Sequence, residues 1–211
     1  MRDLQLRLEG IGKKFYQRWL FRNISFDFSE HPHLALVGTN GSGKSTLMRI
    51  IAGQLNPSEG KVHCHWKGKP LPFNQLYQHL SWTGPYIDLY PELTLREQVD
   101  LHFRMKKCRL DSPADIIREL DLVAHQDKPL QWYSSGMIQR VKVGLALFTH
   151  SDLLLLDEPT SNMDQGNADR IMALIKEHTQ DRLWVLASNL SREYEQFDQL
   201  IRLGKTTSSN A

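Results

Sequence analysis

Residues 33–45 of the chain read His33-Leu34-Ala35-Leu36-Val37-Gly38-Thr39-Asn40-Gly41-Ser42-Gly43-Lys44-Ser45. The first five form a short apolar run that leads into glycine, which is typical of a buried strand. The next eight fit the pattern G-x-x-x-x-G-K-[ST], in which glycines let the backbone turn tightly and point its N–H groups inward. Apolar residues then recur at helical spacing up to Gln54. This stretch therefore predicts a strand, a phosphate-binding loop and a helix.

Within this loop, Lys44 would place a positive charge beside the β- and γ-phosphates of a nucleotide, and the Ser45 hydroxyl would reach Mg²⁺. Backbone N–H groups and the N-terminus of the following helix would complete the anion site. A chance match is the alternative, but the motif lies between a strand and a helix, where its mechanism requires it. The predicted ligands are a nucleotide and Mg²⁺, and the predicted nucleotide-binding residues are Gly38, Thr39, Asn40, Gly41, Ser42, Gly43, Lys44, Ser45 and Thr46.

A second buried strand ends in two acids, in the sequence Leu153-Leu154-Leu155-Leu156-Asp157-Glu158. Alone, this pattern also fits a strand that leaves the core onto two solvated carboxylates. Beside a phosphate-binding loop, it predicts that Asp157 and Ser45 hold the Mg²⁺ shell and that Glu158 orients or deprotonates an attacking water.

The remaining pattern alternates strands with helices, which predicts an α/β fold with a mainly parallel sheet. Residues 4–8 and 24–28 have one apolar and one polar face and predict an antiparallel β edge layer. Residues 94–108 and 112–125 read as helices, so residues 86–135 are predicted to form an inserted helical subdomain. We expect one domain over residues 1–205, with a further helix from 134, and a disordered tail over 206–211.

Composition narrows the function. The 211 residues carry a net charge of +2, which does not favour nucleic-acid binding. No apolar run approaches the ~20 residues of a membrane span, and the N-terminus has no signal-peptide core, so we expect a cytoplasmic protein. The two cysteines favour a reducing compartment. His63, Cys64 and His65 suggest a metal, but alternation places the cysteine on the opposite strand face from the histidines, which argues against one.

One further segment indicates which class of phosphate-loop protein this is. It reads Tyr133-Ser134-Ser135-Gly136-Met137-Ile138-Gln139-Arg140. It resembles the signature sequence of ATP-binding cassette (ABC) ATPases, Leu-Ser-Gly-Gly-Gln followed by x-Gln-Arg; Ser134, Gly136, Gln139 and Arg140 match, and Tyr133, Ser135 and Met137 depart. The alternative is an ordinary helix capped by Ser134. The segment after Glu158 resembles the family's loop that ends in an aspartate, here Asp164. The compact length is similar to that of small export ATPases, such as the haem-export ATPase of cytochrome c maturation.

The resemblance implies a P-loop NTPase core and a head-to-tail dimer with a second ABC subunit, identical or not. Each ATP would lie between one phosphate loop and the partner's signature residues Ser134, Ser135, Gly136 and Met137. It also implies a separate transmembrane permease subunit, with this chain peripheral at the inner membrane face. Phe15 falls where the family stacks an aromatic ring on adenine, with Tyr16 as the neighbouring candidate.

Two positions depart from the family. Pro85 falls where the family has a glutamine, and Asn189 falls where it has a histidine; Asn189 can bond a γ-phosphate but is neither a base nor a cation near pH 7. We therefore expect intact ATP binding with slow hydrolysis, in which Glu158 and Asn189 are the catalytic candidates. The alternatives are a regulatory cassette with little hydrolysis, and a relative that acts on DNA or ribosomes. The last is disfavoured by charge and by the single cassette.

Overall fold

The structure is a computed structural model that describes residues 2–85 and 87–204. Its strands are β1 (Leu4–Phe15), β2 (Arg18–Asp27), β3 (His33–Val37), β4 (Glu59–Trp66), β5 (Lys69–Pro70), β6 (Leu80–Thr83), β7 (Leu153–Asp157), β8 (Leu183–Ser188) and β9 (Leu200–Arg202). Its α-helices are α1 (Lys44–Ile51), α2 (Leu95–Met105), α3 (Pro113–Glu119), α4 (Ser135–Phe148), α5 (Gln165–Glu177) and α6 (Ser191–Tyr194).

The central sheet has five strands in the order β6-β7-β8-β3-β9, and every neighbouring pair is parallel. Both faces are covered, which explains the unbroken apolar run in β7. Leu153 and Leu155 pack into one core with α1 and the antiparallel sheet, and Leu154 and Leu156 pack into a second core with α4 and α5. Since successive side chains of a strand point to opposite faces, a strand buried on both sides must be apolar throughout. The predicted parallel sheet is confirmed.

The second sheet is antiparallel, with the order β2-β1-β4-β5. In β1, Leu4, Leu6 and Leu8 are buried and the intervening residues face outward, so the predicted antiparallel layer is also confirmed. Both strands extend beyond the predicted ranges, because β1 continues to Phe15 and β2 begins at Arg18. The pairing of β1 with β2 changes register three times after Leu8, and these irregularities break the alternation on which the prediction relied.

Helices α2 and α3 lie in the chain between β6 and α4, and they pack on the second core through Leu95, Val99, Ile116 and Ile117. Helix α2 begins with a capping box, in which Thr94 and Glu97 each accept a backbone hydrogen bond from the other. Helix α3 ends at Glu119, earlier than the predicted 125, because Asp121 adopts a left-handed backbone with φ 54°. The domain boundaries stay a prediction, and residues 206–211 lie outside the described residues.

Within residues 2–85 and 87–204, no helix combines the length and the apolar character that crossing a membrane requires.

Candidate nucleotide-binding site

The loop between β3 and α1 has the geometry of an anion site. Gly43 lies at the N-cap of α1 with φ 105°, a left-handed backbone that strains any other residue, and an added Cβ would lie 2.9 Å from Leu20. Lys44 is 95% buried, and its Nζ donates to the carbonyl oxygens of Gly38 at 2.8 Å and of Thr39 at 3.2 Å. The loop therefore curls around the ammonium group, and the free N–H groups of the first turn of α1 are next to it.

Ser42 adds an unusual feature to this loop. Its backbone N–H donates to the Thr39 carbonyl at 3.1 Å, which closes a tight turn. Its side chain is buried, and its Oγ has no hydrogen-bond partner among the residues that the structure describes. A buried hydroxyl without a partner costs free energy, so this Oγ is a candidate donor to a bound phosphate.

Asp157 ends β7 and is 2% exposed. Burial raises the pKa of its carboxyl, the hydrogen bond from the Ser45 side chain lowers that pKa, and the Glu158 charge raises it again. A hydroxyl and a carboxylate side by side form the all-oxygen donor set that Mg²⁺ prefers. The two side chains that were predicted to hold Mg²⁺ therefore lie in the same cleft and near each other.

Glu158 follows directly and has a left-handed backbone with φ 51°. Its N–H donates to the Ala187 carbonyl at 2.8 Å, and its own carbonyl accepts from Gln139 Nε2 at 3.2 Å. A non-glycine residue keeps such a backbone only where its surroundings impose it, and this costs ~1–3 kcal/mol. The turn directs the chain abruptly away from the sheet at the carboxyl end of β7.

A cleft of about 400 Å³ joins these parts. It is lined by six residues of the loop and of the first turn of α1, by both acids, and by two residues outside the motifs: Asn40, Gly41, Gly43, Lys44, Ser45, Thr46, Asp157, Glu158, Leu20 and Pro85. The sequence predictions did not include Leu20, which lies on β2 in a segment without clear alternation. Pro85, the residue at the predicted glutamine position, does lie in the cleft.

Asn189 follows β8 and reaches the same loop. Its Nδ2 donates to Asn40 Oδ1 at 3.3 Å, although Asn189 itself is not among the residues that line the cleft. The carboxyl ends of β3, β7 and β8 thus bring together Lys44, Glu158 and Asn189. Their catalytic roles stay predictions.

The signature residues lie elsewhere on the chain. Ser134 caps α4 and accepts from the Met137 N–H at 3.2 Å, and Ser135 is exposed in the first turn. A Cβ added to Gly136 would lie 2.8 Å from the Asn162 carbonyl oxygen, so glycine permits close packing there. In the described chain, the four predicted signature residues, Met137 included, do not line the cleft. A role at a nucleotide therefore requires a second subunit.

Asp164 caps α5. It accepts from the Asn167 N–H at 2.9 Å, and this hydrogen bond lowers the pKa of its carboxyl. This hydrogen bond within the chain explains how Asp164 begins α5. The assignment of Asp164 to the family's loop after Glu158 stays a prediction.

Phe15 is the last residue of β1, and Tyr16 begins the turn that leads to β2. Phe15 is 47% exposed, with Lys13 Nζ 5.3 Å from its ring centroid, and Tyr16 is almost fully exposed. Neither ring is among the cleft-lining residues, so stacking on adenine stays a prediction.

The side chains of His63 and Cys64 on β4 lie on opposite faces of the antiparallel sheet. His63 contacts Glu9 at 2.8 Å on the outer face of the antiparallel sheet, and Cys64 is buried on the other face. Over residues 2–85 and 87–204, no group of three or more His, Cys, Asp or Glu side chains is placed to hold a metal ion.

A phosphate loop at the end of a central parallel strand, facing acids at the end of its neighbour but one, defines a P-loop nucleotide-binding protein. A sequence profile described as "ABC transporter" matches residues 21–161, which include the loop, the acids and the signature segment. The chain belongs to this family, as an ATP-binding subunit. The predicted resemblance and fold class are therefore confirmed.

One curated relative is the cytochrome c biogenesis ATP-binding export protein CcmA of Haemophilus influenzae. It is 29% identical over 178 residues, which cover 83% of this chain and 84% of that protein. This similarity agrees with the predicted resemblance to small export ATPases.

Two solved structures have the same fold. A putative ABC transporter ATP-binding protein from Pyrococcus furiosus has a TM-score of 0.79 and 19% identity, with 94% of this chain and 97% of that chain covered. The ATP-binding cassette MJ0796, solved as a dimer in a post-hydrolysis state with ADP and Pi, has a TM-score of 0.77 and 22% identity. The alignment covers 95% and 94% of the two chains.

Proposed function

We propose that this chain binds ATP, closes over it as a head-to-tail dimer, and hydrolyses it slowly to drive a separate transmembrane subunit. One observation carries the proposal, namely that Lys44, Ser45, Asp157 and Glu158 line a single cleft. These residue types combine a charge for the phosphates, oxygen ligands for Mg²⁺ and a carboxylate for water.

Each side chain has a distinct task in this proposal. Lys44 and the N–H groups of the loop hold the β- and γ-phosphates, and Ser45 and Asp157 would hold Mg²⁺, which would neutralise phosphate charge. Glu158 orients or deprotonates the attacking water at the γ-phosphate. Asn189 approaches the loop through Asn40 and can donate a hydrogen bond to the γ-phosphate. Phe15 would stack on adenine.

The position of the signature residues supports the proposed dimer. Ser134, Ser135 and Gly136 form the N-terminus of α4, an anion site that does not face the cleft of its own chain. In a head-to-tail pair, this helix end would meet the γ-phosphate that the partner's loop holds, with Asp164 at the dimer contact. ATP would then join the subunits, and its hydrolysis would release them. The transmembrane partner would keep this chain at the cytoplasmic face of a membrane.

Slow hydrolysis is the expected result of two substitutions. Pro85 occupies the cleft wall without a side-chain amide that could contact Mg²⁺ or water. Asn189 supplies a neutral group, whereas a histidine at this place can carry charge. Glu158 is present in the cleft, which supports turnover at a reduced rate.

The same two residues favour a second candidate, a regulatory cassette. In this case ATP closes the dimer, hydrolysis contributes little, and the transmembrane partner responds to the state of the dimer. The two candidates differ in one measurable quantity, which is the rate of turnover at saturating ATP.

Steady-state ATP hydrolysis, measured against protein concentration beside the Glu158→Gln variant, separates them. We expect turnover that rises cooperatively with concentration and disappears in Glu158→Gln. ATP binding without turnover, both alone and with the transmembrane subunit, would favour the regulatory cassette. A turnover number near that of ordinary transporter ATPases would contradict the proposed slow site, and loss of ATP binding would be expected only in a variant such as Lys44→Ala.

A further inference from the structure

The carboxylate of Glu193 lies inside the protein, one turn of chain beyond Asn189. Glu193 is 1% exposed, and it belongs to α6, the short helix that follows β8. Carboxylates are rarely buried so completely unless a specific contact compensates for the lost water. The burial of this carboxylate therefore indicates that Glu193 has a specific role in the structure.

Its contacts are with Thr160, two residues after Glu158. The Thr160 backbone N–H donates to Glu193 Oε1 at 3.2 Å, and the Thr160 hydroxyl donates to the same oxygen. Thr160 is also 1% exposed, so both hydrogen bonds are shielded from water. Glu193 Oε2 is buried and has no partner among the described residues. Hydrogen bonds to a charged group are stronger than neutral ones, and breaking a buried one leaves the charge unpaired.

Two other elements, α4 and β8, hold the same segment from different sides. Gln139 of α4 donates from Nε2 to the carbonyls of Glu158 at 3.2 Å and of Pro159 at 3.3 Å. The Glu158 N–H donates to the Ala187 carbonyl of β8. Glu193 supplies the third attachment, on the side of the segment that carries Asn189. The left-handed backbone of Glu158 is therefore fixed by α4, by β8 and by α6 together.

We propose that Glu193 is a positioning residue, which sets Glu158 and Asn189 at a fixed separation by binding Thr160. This inference rests on the proposed function, because it assigns Glu193 a role in the hydrolysis that Glu158 and Asn189 perform. Glu193 does not itself line the cleft. Glu158 does line it, and Asn189 donates a hydrogen bond to Asn40 of the phosphate loop. A small displacement of Glu158 would slow water attack while the phosphate loop still binds ATP.

The test compares Glu193→Ala, Thr160→Val and the double variant with the wild-type chain. Each should lower kcat about tenfold and leave KM for ATP within about twofold, since displaced catalytic groups affect turnover more than binding. The double variant should be no slower than Glu193→Ala, because Thr160→Val removes only the hydroxyl hydrogen bond, which Glu193→Ala already removes together with the one from the Thr160 N–H. Thr160→Ser keeps the hydroxyl and should restore kcat to near the wild-type value.

Thr179→Val is the matched control. Thr179 is equally buried, and its hydroxyl donates to the Ile175 carbonyl at 2.7 Å, away from the cleft. If this variant loses as much thermal stability as Thr160→Val but keeps its kcat, the effect at Thr160 is not general destabilisation. A normal kcat in Glu193→Ala would overturn the positioning role.

Hydrogen exchange at the backbone N–H groups of Glu158 and of residues 160–163 provides a measurement that does not depend on turnover. Glu193→Ala should speed this exchange, and Thr179→Val should not. Unchanged exchange in Glu193→Ala would overturn the proposal even in a chain that hydrolyses ATP. If the wild-type chain binds ATP without turnover, the hydrolysis proposal fails separately, and faster exchange would still support the attachment.

Discussion

At the scale of single residues, the phosphate loop and the end of β7 contain several residues in energetically costly states. Asp157 is a buried carboxyl, Ser42 has a buried hydroxyl without a partner in the described chain, and Glu158 has a left-handed backbone. Such features persist where surrounding structure imposes them, and they are more frequent at sites that bind or react. The free energy that they cost is available to be recovered when phosphate and cation bind.

Asp157 gives a prediction on pH. Since burial raises the pKa of this carboxyl in the folded chain, ionised Asp157 destabilises the nucleotide-free protein at neutral pH. We expect Asp157→Asn to raise Tm at pH 7 without nucleotide. The gain should shrink as pH falls through the raised pKa, because the wild-type carboxyl then takes up a proton in the fold. Thermal unfolding of both chains between pH 7 and pH 4 measures the difference, and a gain independent of pH would contradict this account.

At the scale of secondary-structure elements, the bounds of each strand and helix depend on a different local feature of the sequence. Strand β7 could be predicted because four leucines end at two acids, and α2 because Thr94 and Glu97 form a capping box. The first half of β2 could not be predicted, since register shifts remove its alternation. Helix α3 was predicted too long because its end depends on the backbone of Asp121, which no residue type there demands.

The capping box of α2 can be tested alone. Thr94→Ala removes the side chain that accepts from the Glu97 N–H, and it should lower the free energy of unfolding by ~1 kcal/mol. Thr94→Ser keeps the hydroxyl and should lie within about 0.5 kcal/mol of the wild type. Urea unfolding of the three chains gives these values. Equal stability of Thr94→Ala and the wild type would show that the box contributes nothing.

The stability of the fold should be far more sensitive to a truncated side chain in β7 of the central sheet. Leu155 is fully buried between α1 and the antiparallel sheet, so Leu155→Ala should cost about 2–5 kcal/mol of unfolding free energy. Val123 is 51% exposed, and Val123→Ala should change stability by less than about 0.5 kcal/mol. Both values come from the same urea titration, and a small loss at Leu155 would mean that the core is not continuous through β7.

At the scale of the whole molecule, the fold keeps the phosphate loop and the signature segment apart. The loop before α1 opens into the cleft, while the N-terminus of α4 lies outside it. Both motifs and the layers of the fold could be predicted from the sequence. The contacts of Gln139 and Glu193 with the segment after Glu158 could not be predicted, because they join residues that are 19 to 33 positions apart in the chain.

The proposed dimer gives a prediction for the whole molecule. With ATP and Mg²⁺, Glu158→Gln should form a stable dimer that sedimentation velocity detects. Adding Ser135→Asp should abolish that dimer, because the carboxylate would face the partner's γ-phosphate. An acidic residue in the first turn favours a helix, so the fold of the monomer should be unaffected. A dimer that persists in the double variant would place the signature segment away from the nucleotide.

The last strand has a practical consequence. Strand β9 lies beside β3 at the edge of the central sheet, and the Leu203 N–H donates to the Val37 carbonyl at 2.7 Å, one residue before the phosphate loop. The described chain at Leu203 and Gly204 is therefore held against the start of the phosphate loop. Gly204 is exposed, so a small fluorescent dye on a cysteine introduced at this position would lie near the loop without disturbing the core. Its emission should change when a nucleotide occupies the loop, which would make it a sensor of nucleotide binding.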